Sequence, residues 1–248
     1  MMGFDDILLF AILALIAEVI GTVGGYGSSM LFVPIAGMFL DFHSVLGVTA
    51  LFHVASNVSK IALFRQGFDR RLVMRVGIPA TLAVIIGAYL SRFVSGSMLE
   101  LGVALFLTAV SLFLLLRPST KLEANEMNCL GGGAASGLLA GLLGTGGAIR
   151  GLVLAAFALP MQVYVATSAI IDLAVDASRA GVYMYNGFVH MHDMPLLGVL
   201  AAVSLIGTWI GRLIMNRMPE ERFRSIVLVL LLLTGLFTTG RTLWQILG

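Results

Sequence analysis

Apolar residues fall into ten stretches, roughly 7–23, 28–40, 44–66, 70–92, 97–117, 129–145, 147–160, 162–186, 193–215 and 222–245. Eight are long enough to cross a bilayer as helices. The stretches 28–40 and 147–160 span about 20 Å as helix, against a hydrocarbon core of about 30 Å. Each short stretch is therefore expected to form a re-entrant or broken hairpin with the stretch before it. A charged linker from Arg117 through Lys121 and Glu123 to Glu126 divides the ten into two sets of five, 1–120 and 121–248. The expected fold is an all-α polytopic membrane protein of two repeats. Each repeat holds three full transmembrane helices plus a hairpin, giving eight to ten helical segments.

The two sets match at a period of about 120 residues. Ile86-Gly87-Ala88-Tyr89-Leu90-Ser91-Arg92 corresponds to Ile206-Gly207-Thr208-Trp209-Ile210-Gly211-Arg212. Gly67-Phe68 corresponds to Gly187-Phe188, Val23-Gly24-Gly25 to Thr145-Gly146-Gly147, and Ser59 to Ser178. Short cytoplasmic loops are enriched in Lys and Arg. Arg65, Arg70, Arg71 and Arg75 place their loop in the cytoplasm, while its counterpart, Asn186 to Met194, holds His190, His192 and Asp193 but no Lys or Arg. One loop later the bias reverses: Ser91 to Ser97 has only Arg92, against Arg212, Arg217, Arg222 and Arg224 in the counterpart. Opposite bias in equivalent loops implies an inverted repeat, with both termini extracytoplasmic and the linker cytoplasmic.

Composition narrows the class further. Hydrophobic residues make up 59% of the chain and charged residues 11%, where a soluble domain carries about 25% charge. Asp5 and Asp6 near the start do not suit a signal peptide. One cysteine allows no internal disulfide, no Cys/His cluster has metal-ligand spacing, and nothing suggests nucleic-acid binding or a cofactor.

Against this apolar background two helices carry the same polar pattern. His53, Asn57 and Lys60 lie at i, i+4 and i+7, as do Asp172, Asp176 and Arg179, 119 positions later. That spacing puts each triplet on one helical stripe. Ionisable groups inside lipid are costly and mark substrate or proton paths by default. Lys60 and Arg179 also admit blander readings, snorkelling to the headgroups for Lys60 and a structural ion pair with Asp176 for Arg179.

The hairpins turn at two glycine runs, Gly21 to Ser29 and Gly141 to Arg150. Glycines can break a helix within the membrane, where irregular backbone survives only if it is buried or lines a cavity. Interrupted helices in matching positions of two halves point to a solute-binding site. The candidate binding residues are Gly24, Gly25, Gly27, Ser28, Ser29, Asn57, Lys60, Thr145, Gly146, Gly147, Arg150, Asp176 and Arg179. With the helix dipoles, Lys60, Arg150 and Arg179 predict a field that favours an anion. Small-residue helix packing accounts for some of the glycines. Proton-coupling candidates are Glu18, His53 and Asp172. His43, His190 and His192 are expected in solvated outer loops, and Tyr183, Tyr185, Trp209 and Trp244 as interfacial anchors.

Gly24-Gly25-Tyr26-Gly27 with Pro34, the Gly67-Phe68-Asp69 start of the fourth segment, and Leu143-Gly144-Thr145-Gly146-Gly147, in this order, resemble the sulfite exporter TauE/SafE family. The resemblance runs from about Ile12 to about Thr238. It implies bacterial inner-membrane transport of sulfite, sulfonates and other sulfur-containing organic anions, driven by protons. One departure is Ala156 where a proline matching Pro34 is expected, with Pro160 slightly later. The expected function is secondary active transport of such an anion by alternating access, with protons and the lipid bilayer as its other partners. Oligomerisation is left open. The alternatives are an anion channel and an intramembrane hydrolase using Ser28 and His53.

Overall fold

The computed structural model describes residues 4–25, 27–64, 67–93, 97–117, 119–120, 123–144, 146–190 and 194–247. Their regular structure is helical: α1 (Phe4–Gly24), α2 (Ser29–Ala36), α3 (Phe42–Leu63), α4 (Arg70–Leu90), α5 (Ser97–Leu116), α6 (Glu126–Leu143), α7 (Gly146–Ala156), α8 (Met161–Tyr185), α9 (Met194–Met215) and α10 (Glu220–Leu247). Five of them, α1, α3, α4, α9 and α10, are long and apolar enough to cross a membrane. Much of their outward surface is aliphatic; Leu82 and Ile86 of α4 are each more than half exposed. Such a surface suits lipid acyl chains.

Local chemistry sets the helix starts. Asp69 accepts from the N–H groups of Arg71 and Leu72 at 2.8 and 3.0 Å to cap α4. Asn125 accepts from Asn128 at 2.9 Å to cap α6. Asp41 caps α3 by accepting from His43 and Ser44 N–H at 3.1 and 3.2 Å. Hydrogen bonding from Ser44, side chain first and then backbone, with His43 N–H adding to it, holds this exposed carboxyl below the usual carboxylate range. A folded-state pKa below the unfolded one stabilises above the unfolded pKa and loses that stability as pH falls through the folded pKa. Asp41→Ala is expected to cost about 1 kcal/mol at neutral pH. Asp41→Asn should keep most of the cap but remove its share of the acid sensitivity, as read by thermal unfolding between neutral and acidic pH.

Both short helices double back on the helix before them. Beyond Gly25 (φ +69°) and Gly27 (φ +90°), α2 runs back along α1, with the Phe32 and Phe39 rings 5.5 and 5.2 Å from Phe10. A side chain at Gly25 would also strike the Tyr164 ring, 2.6 Å from where its Cβ would lie. Beyond Gly144 (φ +74°), α7 returns along α6, so that Gly146 lies against Ala140 and Val153 against Gly132. Both helices are shorter than their apolar stretches. At 8 and 11 residues they span about 12 and 16 Å. A turn follows α2 from Gly37, and the chain after α7 turns through Ala158 (φ +53°) before Pro160 opens α8. Apolarity alone does not show where these turns stop a helix.

The main packing pairs are α4 with α6, α1 with α9, α5 with α10, and α3 with α8, joined by α4 with α8 and α3 with α9. Replacing each of α1–α5 by its counterpart among α6–α10, and the reverse, maps this set onto itself. Matched residues also behave alike. Gly67 and Gly187 both have left-handed backbone, and Ser59 and Ser178 each donate to the carbonyl four residues back at 2.8 Å. The α4–α6 seam is held by Gly133, Gly137 and Gly141, spaced four apart against the α4 backbone, the small-residue packing expected of part of the glycine content.

Candidate functional site

Where the two hairpin turns meet α3 and α8, six oppositely charged side chains and a histidine pack almost without water contact. Glu18, Lys60, Arg150, Asp172, Asp176, Arg179 and His53 are each 0–5% exposed. Three carboxylates face three cations, so the formal sum is 3 − 3 = 0. The cations Lys60, Arg150 and Arg179, from which the sequence predicts an anion-favouring field, are thus balanced by the acids around them. An unpaired cation at this depth is too costly, and each has a carboxylate beside it. Lys60 does not snorkel.

Glu18 of α1 is the most heavily partnered group. Lys60 Nζ lies 3.2 Å from Oε1, and Ser28 donates to Oε2 at 2.6 Å. Thr22 and Thr208 donate to Oε1 at 3.2 Å each, and Ser56 donates to the same oxygen. Its carboxylate therefore collects four hydroxyls and an ammonium from α1, the first turn, α3 and α9. In the second cluster Arg179 Nε and Nη2 both reach Asp176 Oδ1 at 2.8 Å, while Asn57 donates to Oδ2 at 2.7 Å. Arg179 also donates to the Ala140 carbonyl at 3.3 Å, at the end of α6. In the third, Arg150 pairs with Asp172, whose other oxygen accepts from Ser168 at 3.1 Å. Arg150 Nε and Nη1 are buried and have no hydrogen-bond partner among the described residues.

These clusters fall at matching positions of the two halves of the sequence. Counting 122 positions through the hairpins (Gly24 to Gly146) and 119 through α3 and α8 maps Ser28 to Arg150, His53 to Asp172, Lys60 to Arg179 and Glu18 to Ala140. The Ser28–His53 contact at 3.0 Å thus corresponds to the Arg150–Asp172 pair, and Lys60–Glu18 to Arg179 with the Ala140 carbonyl. Asn57 and Asp176, counterparts of each other, join directly.

Most of the residues singled out from the sequence surround one small cavity. Gly27, Ser29, His53, Asn57, Lys60, Gly146, Gly147, Arg150, Asp172, Asp176 and Arg179 line it. Its volume, about 10 Å³, approaches the room for one water and is too small for an oxyanion. Gly24, Gly25, Ser28 and Glu18 are buried but do not line it, and Thr145 lies outside the described residues. A wider cleft of about 600 Å³ among α5, α6 and α7, bordered by Phe106, Phe113 and Leu139, has no ionisable group among its described lining residues. Its size does not make it a polar solute's site.

Sequence reasoning missed Thr22, Ser56, Ser168 and Thr208. Thr208 had a usable signal, since its repeat counterpart is Ala88. Tyr183 is also corrected: it is fully buried and donates to the Gly141 carbonyl at 2.6 Å, so it braces the second hairpin rather than the membrane surface. Tyr185, Trp209 and Trp244 are exposed. His43 is only half-buried, its ring 4.3 Å from that of Phe188; His190 is exposed, and His192 lies outside the described residues.

Charged side chains are gathered at paired helix breaks, inside a bundle with an aliphatic exterior and five helices able to cross a membrane. The profile of the sulfite exporter TauE/SafE family matches residues 10–238, and the chain belongs to that family. No curated protein and no solved structure gives a significant match. Family membership makes it a membrane transporter of the sulfite-exporter kind rather than an enzyme.

Proposed function

We propose that this chain is a secondary active transporter of small sulfur-containing anions, such as sulfite, sulfonates or sulfoacetate-like compounds. It carries them across the bacterial inner membrane by alternating access, coupled to protons. Residues 1–120 and 121–248 act as inverted repeats about the Asn57–Asp176 contact, with the termini extracytoplasmic and the linker cytoplasmic. The exchange symmetry of the helix pairs and of the buried polar contacts supports this arrangement.

The observation that carries the reading is Arg150, whose buried guanidinium keeps Nε and Nη1 without a partner among the described residues, beside the start of α7. An oxyanion satisfies such donors, and the positive end of a helix favours it further. Since the cavity is nearly filled, the anion enters by displacing a carboxylate from its cation. Asp172 leaves Arg150, and Asp176 leaves Arg179. A centre whose charges sum to zero resists one added negative charge in a low dielectric but accepts an anion together with a proton. Glu18, His53 and Asp172 are the groups that take up that proton. Asn57, Ser29, Gly146 and Gly147 complete the anion's surroundings.

The test is uptake into proteoliposomes holding the purified full chain. Saturable counterflow of sulfite or a sulfonate, accelerated by an inward proton gradient, is the expected result. A purely conductive, non-saturating flux overturns the carrier and favours the channel.

A further inference from the structure

The hydrogen bonds around His53 favour one placement of its ring proton. As the carboxylate partner of the Lys60 ammonium, Glu18 is acceptor-only. Ser28 has a single hydroxyl proton and donates it to Glu18 at 2.6 Å. Its contact with His53 Nε2 at 3.0 Å is therefore one in which Ser28 accepts and Nε2–H donates. In the neutral ring the bare nitrogen is Nδ1. That atom faces Arg179 Nη2 at 3.5 Å and Asp176 Oδ2 at 4.0 Å. The same assignment removes the hydrolase alternative's base, because Nε2–H has no lone pair to take a proton from Ser28.

We infer that His53 is a proton-operated latch on Arg179. With the ring neutral, Nδ1 accepts from the Arg179 guanidinium, and Asp176 holds the same guanidinium through Nε and Nη2. When a proton from water binds the Nδ1 lone pair, forming one N–H bond, that nitrogen becomes a donor. It then repels the Arg179 N–H and attracts Asp176 Oδ2. Asp176 is drawn from Arg179 towards His53, and the guanidinium is released to the cavity. Loss of the proton restores the first arrangement. The other charged groups around the ring are Glu18 on α1, Lys60 on α3 itself, Arg150 on α7 and Asp172 on α8. α6 contributes the Ala140 carbonyl, and α2 contributes the Phe32 ring, 6.4 Å away, with no charged side chain among its described residues. Lys60 is tied to Glu18 and Arg150 to Asp172, so Asp176 is the carboxylate placed to answer a change at Nδ1. The latch rests on the anion-transport reading for its purpose but not for its geometry, so the two are tested separately.

Ring-¹⁵N histidine in the reconstituted, ligand-free full chain reads the geometry. A variant with His43, His190 and His192 replaced by asparagine leaves His53 as the sole signal. The neutral ring should carry its proton on Nε2, and acidification should add one at Nδ1. A neutral ring protonated on Nδ1 overturns the latch. Methanesulfonate, whose charge is constant between about pH 5 and 8, reads the coupling. Wild-type affinity should fall about tenfold per pH unit above the His53 titration, whereas His53→Gln should bind with no such slope. An unchanged slope in His53→Gln also overturns the latch. Absence of saturable binding of both methanesulfonate and sulfite to the wild type, with the proton on Nε2, overturns the anion reading instead.

Discussion

Glu18→Ala should destabilise the protein by about 3–5 kcal/mol, the range for removing one partner of a buried ion pair. Lys60 is 3% exposed, and Glu18 is the carboxylate beside its ammonium. The variant also strands four hydroxyls that now donate to Glu18, each a smaller cost in addition. A loss this size is about a fifth or more of the stability of an ordinary domain, so folded yield in detergent should drop sharply. The diagnostic companion is Glu18→Leu with Lys60→Met. It removes both charges while keeping apolar volume, and should recover the ion-pair part of the loss, because a buried pair is near break-even against well-packed hydrophobes. The cost of the four stranded hydroxyls remains. An alanine variant within about 1 kcal/mol of wild type would show that the cluster is not holding the bundle together.

Arg150→Ala should abolish anion binding, with a loss on the order of 100-fold or more, since two charge-assisted hydrogen bonds are at stake. It also leaves Asp172 buried without its cation, so stability falls alongside. Pairing it with Asp172→Ala separates the effects. The double variant should regain folding but not binding, because the guanidinium is still missing. Arg150→Lys should keep folding and bind weakly, for an ammonium restores charge without the planar fork. Isothermal titration with sulfite and sulfonates on the double variant measures the result. Wild-type affinity there would move the anion site elsewhere.

The helical layout was legible because lipid imposes one demand over and over. A crossing needs about 20 apolar residues, and interruptions stand out. The breaks at Gly25–Ser28 and Gly144 were legible for the same reason, as were the stripes of His53–Asn57–Lys60 and Asp172–Asp176–Arg179. The pairings were not. Nothing local says that Lys60 seeks Glu18 on another helix rather than the headgroups, or that Arg150 seeks Asp172. Serine and threonine gave little signal because they are common in membrane helices, where they bond to their own backbone; Ser59 does so here while Ser56 does not. Tyr183 was misplaced because an aromatic near a helix end looks like an interfacial anchor until a carbonyl acceptor is seen beside it. Comparing the halves residue by residue is the informative step, since Thr208 against Ala88 and Ser56 against Val175 both mark polar groups that the opposite half lacks.

The reach of the Glu18 cluster bears on how the chain is made. Glu18 emerges 60 − 18 = 42 residues before Lys60 and 190 before Thr208. At about 5–20 residues per second, translation leaves the carboxylate seconds ahead of its ammonium and longer still ahead of its last hydroxyl. α1 also waits for α9, its main packing partner, until most of the protein has been synthesised. The first helix therefore has to remain at the insertion machinery, or at the bilayer surface with its acid protonated or hydrated, until later segments arrive. Biogenesis here is a problem of timing, and slowing elongation between α1 and α3 should harm assembly more than an equal delay after α9.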